Sequence, residues 1–323
     1  MRQPLPRPPV RARRRTSSRS ALWLPAVLAL GGLTSLLCLL ALLPVAWWER
    51  QGGTLPLAAP PPTVLVLGID RRPDEGGPTR SDSILVLGFN RQTQQAALLS
   101  VPRDLWVEIP GVGPQRINTA TFFGYEADDP TAAPRLAART VAASFGLPVD
   151  RYLLLDFQTF VRLVDALGGV EVDVPKPITD TQYPTPDYGV TTVHFDAGPQ
   201  VLDGERALIY VRTRHADDDF GRARRQQQVV QAMARRLLQP ATWPRLPAVY
   251  QVLRDGVVTD LQPADLFALL PVVRAVGRGE AVQATLGEGF TTPWITPSGA
   301  WVLLPNWPAI RSEVRRLFGS PAP

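Results

Sequence analysis

The sequence predicts an α/β/α sandwich around a mixed central sheet, preceded by one transmembrane helix. Three observations carry this reading. Short apolar runs that suit buried strands alternate with helical segments, the pattern of layered α/β domains. Two of those strands are joined by a hairpin-type turn, which makes the sheet mixed. One long apolar segment near the N-terminus holds no charged residue.

That segment, Ala21–Trp48, exceeds the ~20 apolar residues needed to span a bilayer's hydrocarbon core. Trp47 and Trp48 stand where interfacial aromatics belong, and the basic tail before the span orients the N-terminus inside. A cleaved signal peptide is the competing reading. Its apolar region would be shorter and would end at a small-residue cleavage site, whereas this run ends in Trp-Trp-Glu-Arg. Residues 49–62, with Pro56, Pro60, Pro61 and Pro62, read as a stiff linker. Everything beyond it is expected outside the cytoplasm.

Val64–Ile69 is a continuous apolar run suited to a buried central strand. Ser83–Phe89 and Ala96–Val101 are two more, with the turn between them at Gly88–Gln92. Pro134–Phe145 is Ala-rich and helical in period. Arg151–Phe157 reads as a strand leading into a helix over Gln158–Leu167, stopped by Gly168-Gly169. Val170–Val174 alternates as a half-buried strand does. Residues 175–200 read as an irregular excursion rich in Pro, Thr, Asp and Gly. Helices are expected at Asp203–Val211, Arg222–Leu238, Leu246–Arg254 and Pro263–Val276. A strand at Ala281–Leu286 and a Trp/Pro-rich end close the chain.

Composition narrows the chemistry. The net charge of +5 hides an asymmetry, because residues 1–20 hold seven arginines and no acid, leaving −2 (5 − 7) on residues 21–323. A slightly acidic main domain argues against broad nucleic-acid binding. The basic tail is explained by topology and anionic lipid. The single cysteine, Cys38, lies in the apolar segment and excludes an intrachain disulfide and Cys–His catalysis. Two histidines, His194 and His215, are too few for a His-based zinc site. A Ser-His-Asp site is possible in principle, but no G-x-S-x-G elbow is present. Lys176 is the one lysine among 34 basic residues, so arginine as such carries little weight and position must supply it.

Three clusters remain. Asp70 ends the first strand, and Arg80-Ser81-Asp82 leads into the second. Two such carboxylates suit Mg²⁺, which takes one or two carboxylates plus phosphate oxygens and water. They equally suit ordinary ion pairs with Arg71, Arg72 or Arg80. Arg103 and Asp104 follow the third strand, with Arg116 and Asn118 downstream, and each alone is consistent with a surface loop. The third cluster is Arg212, Arg214, Arg222, Arg225 and Gln226. Arg222 and Gln226, four apart, continue the apolar stripe of Val229, Val230, Met233 and Leu237, so they are expected to face inward. Arginines at a helix N-terminus oppose its dipole unless an anion sits before them, and guanidinium groups suit phosphate. The alternative is a solvated, frayed helix start. Several arginines and carboxylates without His or Cys fit phosphoryl transfer, where positioning and charge stabilisation do most of the catalysis.

The ordered motifs LVLGID, RSDSILVLGF, LLSVPRD, RINTA, DFQTFVRLVDALGGVEVDV, LDGERALIYVRTR and FGRARRQQQVV resemble the LytR-CpsA-Psr family from about Val64 to Leu238. The resemblance implies a phosphotransferase of the bacterial cytoplasmic membrane, single-pass with its N-terminus inside. Residues 1–20 form its tail, 21–48 its helix, 49–62 its linker and 63–318 its extracytoplasmic catalytic domain. Such enzymes move a glycopolymer, for example teichoic acid or capsule, from a polyprenyl-pyrophosphate carrier onto peptidoglycan. By the same resemblance, Asp70 and Asp82 hold Mg²⁺. Arg80, Arg103, Arg212, Arg214 and Arg222 act on the pyrophosphate, and Arg116, Asn118, Arg225 and Gln226 complete the substrate set. Arg116 stands where the family often has lysine. A lipid tunnel between sheet and helices is also implied. Alternatives are a non-catalytic envelope regulator or lipid-binding scaffold, and a polyprenyl-pyrophosphate hydrolase.

Overall fold

The computed structural model describes residues 60–71, 77–185, 189–213 and 219–319. The basic tail, the transmembrane span, most of the linker and Arg214 lie outside the described residues. Among those described, no helix is long and apolar enough to cross a membrane.

The sheet forms around β1 (Val64–Ile69), whose residues are buried on both faces, as a continuous apolar run requires. It pairs antiparallel with β2 (Ser81–Asn90) and parallel with β6 (Arg151–Asp156). β3 (Gln95–Ser100) follows β2 as a hairpin, and β12 (Val282–Thr285) adds parallel to β3. β11 (Val257–Thr259) closes the other edge, giving the order β11-β6-β1-β2-β3-β12. The mixed sheet expected from the sequence is therefore present. The hairpin turn falls at Arg91–Gln94, later than expected, because the Asn90 side chain accepts from the Gln92 and Thr93 amides at 2.9 and 3.2 Å and sets the turn itself.

Helices cover both faces. Ile84, Val86, Ala97 and Leu99 pack with α2 (Ala132–Phe145) and α9 (Trp307–Phe318) in one core. Leu87, Phe89 and Ala96, of opposite parity on the same strands, pack with α5 (Asp219–Leu238) and α8 (Leu270–Arg278) in another. A third core joins α3 (Phe157–Leu167), β7 (Val170–Val174), α4 (Gly204–Arg212) and α5. Asp156 caps α3 by accepting from the Thr159 amide, and Gly168, at φ 83°, ends it. Asp203 caps α4, and Gly204 lets it lie against α3: a Cβ there would stand 2.3 Å from the Val161 carbonyl oxygen.

Several elements escape sequence reasoning. β4 (Trp106–Ile109) pairs with β5 (Gly113–Arg116), and a short helix α1 (Ala120–Phe123) follows. The stretch expected to be irregular holds a hairpin of β8 (Ile178–Pro184) and β9 (Val190–Phe195), then β10 (Gly198–Leu202), which pairs with β7. β13 (Thr291–Ile295) and β14 (Trp301–Pro305) form a hairpin in the Trp/Pro-rich end. α6 (Leu246–Gly256) forms as expected, but the helix expected over Pro263–Val276 breaks into α7 (Pro263–Ala268) and α8. Pro271 has no amide proton to continue the ladder and serves instead in the first turn of α8.

Candidate active site

Two adjoining cavities open where β1 and β3 end and β2 begins, beside the start of α5. One, of about 410 Å³, is walled by Asp70, Thr79, Arg80, Asp82, Arg103, Asp104, Arg116 and Asn118. Its lining is mainly polar. The other, of about 390 Å³, has an apolar wall of Ile84, Val101, Pro102, Pro293, Trp301 and Leu303, with Arg222 and Gln226 from α5 at its side. Asp82, Arg103 and Asp104 line both.

These shared residues form the junction. Arg103 Nη1 donates to Asp82 Oδ1 at 2.7 Å, and its Nε lies 3.4 Å from Asp104 Oδ2. Arg116 Nε lies 3.4 Å from Asp104 Oδ1, while its guanidinium donates to the Trp301 carbonyl at 2.6 and 3.0 Å. The start of β2, the loop after β3 and the end of β5 thus together present an alternating chain of charges, Asp82–Arg103–Asp104–Arg116. Pro102 stops β3 and aims Arg103 off the sheet, as strand-terminal prolines do. Asn118 is buried in the polar wall, and its Oδ1 has no hydrogen-bond partner among the described residues. A buried acceptor left so costs about 1–3 kcal/mol, which points to a ligand or solvent donor on that side.

Asp70 is met from the far side. Arg212 Nη2, at the end of α4, lies 3.3 Å from Asp70 Oδ2. The same guanidinium lies 4.4 Å from the centre of the Phe157 ring and 5.6 Å from that of Tyr183, and donates to the Tyr183 hydroxyl at 3.3 Å. Burial raises the Tyr183 phenol pKa above its ordinary value, so that hydroxyl stays neutral and accepts the bond.

On α5, Arg222 is buried and Gln226 half-buried, facing inward as their spacing predicts. Gln226 Oε1 accepts from the Ser83 hydroxyl at 3.2 Å. Arg225 does something else: it donates to the carbonyls of Tyr210 and Thr213, ties α4 to α5, and lines neither cavity. Gln227 is also structural, donating to Ser100 Oγ at 2.7 Å and to the Ala284 carbonyl at 2.9 Å. His194 sits on exposed β9 between Thr179 Oγ1 at 2.8 Å and Asp196 Oδ1 at 3.2 Å, and lines neither cavity.

The structure therefore brings Asp70, Arg80, Asp82, Arg103, Arg116 and Asn118 to one cavity, and Arg222 and Gln226 to its neighbour. Ser83, Trp301, Pro293, Phe157 and Tyr183 join the site without a signal in the sequence. Their roles depend on neighbours far along the chain.

The model of the LytR_cpsA_psr family matches residues 54–289, well over half of the sequence. The chain belongs to the LytR_cpsA_psr family. It is 34% identical over 209 residues to the polyisoprenyl-teichoic acid–peptidoglycan teichoic acid transferase TagU of Oceanobacillus iheyensis, covering 64% of this chain and 61% of that one. It is 33% identical over 208 residues to the regulatory protein MsrR of Staphylococcus aureus, covering 64% and 58%. The chain thus spans about three fifths of the length of these curated relatives. Among solved structures, TagT bound to LIIa-WTA matches with TM-score 0.61 and 28% identity, over 80% of this chain and 91% of that one. Bacillus subtilis TagV matches in fold, with TM-score 0.63 and 24% identity over 82% and 99%. The mixed α/β architecture is accordingly the family's own.

Proposed function

We propose that this member of the family is a membrane-anchored phosphotransferase that moves a glycopolymer from a polyprenyl-pyrophosphate carrier onto peptidoglycan. The observation that carries the reading is the junction of a polar, arginine-rich cavity with an apolar one through Asp82, Arg103 and Asp104. A pyrophosphate joined to a long hydrocarbon has the same division. The names of TagU and TagT, and a TagT structure with a bound wall-polymer ligand, support it as likenesses. The anchor is the segment 21–48, with the catalytic domain outside the cytoplasmic membrane.

In this reading the hydrocarbon lies along Ile84, Val101, Pro293 and Leu303, and the pyrophosphate faces Arg80, Arg103, Arg116 and Arg222. Arginine suits that task because its planar fork pairs phosphate oxygens two at a time. The acceptor hydroxyl oxygen forms a bond to the sugar-bearing phosphorus, and the bond from that phosphorus to the bridging oxygen breaks. The electron pair leaves on polyprenyl phosphate, whose new charge the arginines stabilise, and the hydroxyl proton passes to Asp82 or Asp104. Three carboxylates, Asp70, Asp82 and Asp104, line the polar cavity, and Mg²⁺ needs only one or two of them when phosphate and water fill its other positions. Asp70 and Asp82 would hold it, and it would supply charge neutralisation at the pyrophosphate.

The test is the full chain with a polyprenyl-pyrophosphate sugar, Mg²⁺ and peptidoglycan fragments. Polyprenyl monophosphate together with a glycan-linked product, both lost in EDTA, is the expected result. Monophosphate without the linked product would indicate hydrolysis. Binding of the carrier without turnover would favour a non-catalytic role, of the kind the name of MsrR suggests for that protein.

A further inference from the structure

From Gly289 to Ile310 the chain runs 22 residues without an Asp, Glu, Lys or Arg, in a protein whose residues are 20% charged. This stretch builds the β13–β14 hairpin and enters α9. The register pairs Pro293 with Leu303 and Ile295 with Trp301. Side chains two apart on a strand share a face, so the two pairs form one strip. The inner pair walls the apolar cavity, and Trp301 reaches it too. The outer pair stands in the open, Ile295 63% and Trp301 44% exposed. An apolar track therefore leads from inside the cavity out along the hairpin toward its turn. Trp294, on the opposite face, is also exposed.

The turn suits an apolar surrounding. The Thr296 amide donates to the Ala300 carbonyl at 2.9 Å, and the Gly299 amide to the Thr296 carbonyl at 2.8 Å. The Ala300 amide donates to Thr296 Oγ1 at 3.0 Å, and that hydroxyl pairs with Ser298 at 2.9 Å. Backbone groups satisfied internally in this way lower the cost of leaving water. An exposed apolar ribbon without charges is otherwise a liability that proteins avoid.

We infer that the β13–β14 hairpin is a bilayer-contact surface. It places Ile295, Trp294 and Trp301 in the interfacial zone of a phospholipid membrane, the position tryptophan favours. The strip beneath them is the path by which a lipid hydrocarbon passes between bilayer and cavity, a step that rests on the carrier reading above.

The experiment uses the full chain with Cys38→Ser, which removes its one cysteine, and Ile295→Cys carrying a nitroxide. It is reconstituted at one copy per phosphatidylcholine–phosphatidylglycerol nanodisc with no carrier lipid. Relaxation by oxygen and by a water-soluble nickel chelate reads immersion, against a label at Val190→Cys, which is comparably exposed at 67%. Shielding from nickel with access to oxygen at 295, and the reverse at 190, is expected. Equal nickel access at both sites would overturn the inference, as would shielding of 295 only when two copies share a disc. In a second arm, Ile295→Asp is expected to slow turnover of a long-chain carrier in vesicles several-fold and leave a short-chain, water-soluble carrier unaffected. Equal rates on both would overturn the path. Failure of the wild type with either carrier would remove the transfer reading and leave the label result standing.

Discussion

The Arg212 guanidinium lies 4.4 Å from the centre of the Phe157 ring while its Nη2 stands 3.3 Å from Asp70 Oδ2. The first residue of α3 thereby orients an arginine at the last turn of α4, and that arginine orients a carboxylate at the end of β1. A cation–π contact of this kind contributes about 1 kcal/mol at a partly exposed site. Phe157→Leu is therefore expected to lower kcat several-fold with little change in Tm, read by steady-state release of polyprenyl phosphate and by thermal melting.

Arg103 bridges Asp82 and Asp104 at the junction of the two cavities. Arg103→Ala removes a cation and leaves two carboxylates facing the pyrophosphate of the proposed carrier. Losing one preorganised charge-stabilising group typically costs about 10²–10³ in kcat. A loss of that order is expected, with Arg103→Lys recovering only part of it because an ammonium cannot span both partners. Single-turnover kinetics would check both variants.

Gln227 is buried and donates from one amide to Ser100 and Ala284, holding α5 against β3 and β12. Gln227→Leu leaves those acceptors without their donor, at about 1–3 kcal/mol for the buried carbonyl. Thermal unfolding should show a Tm lower by roughly 2–12 °C, given about 2–4 °C per kcal/mol for a domain of this size.

At Gly204 any side chain meets the Val161 carbonyl. Gly204→Ala is expected to force α4 away from α3 and destabilise by about 1–3 kcal/mol. Urea unfolding would show a lower midpoint with an unchanged slope.

Glu313 on α9 has its pKa lowered below 4.5, chiefly by the hydrogen bond from Arg316, against an opposing effect of burial. A depressed native pKa means the unfolded chain binds the proton more readily, so this contribution is complete above the unfolded value of 4.5 and is lost as pH falls through the folded one. Arg316→Gln should make the acid side of the stability profile shallower and leave stability near pH 7 reduced. Unfolding midpoints measured from pH 7 to pH 3 would check it.

Much of this site is legible before folding. Asp70, Asp82 and Arg103 stand at strand ends because their apolar runs are long enough to name the strands and short enough to name where they stop. Arg222 and Gln226 face inward because helical period places them on the stripe of Val229 and Met233. Arg225, three residues from Arg222, is chemically identical, and local pattern does not separate the two. Only packing against the carbonyls of Tyr210 and Thr213 separates a structural arginine from one that lines a cavity. Likewise Tyr183 and Phe157 acquire their roles by meeting Arg212 across long stretches of chain.

By itself, the sequence determined what local pattern can determine: the alternating layers, the strand ends that carry the charged residues, the inward face of α5 and the membership of a family. The tertiary structure decided what depends on non-local pairing. β13 carries Pro293 in its middle and is largely exposed, so no alternation marks it as a strand, and β14 is an apolar run too short to show by itself what it pairs with. Their register is set by each other, and their place beside the cavity by β4 and by the Asp104 carbonyl, which accepts from the Leu303 amide. The union of a polar and an apolar cavity at Asp82, Arg103 and Asp104 exists only once those distant segments are packed together.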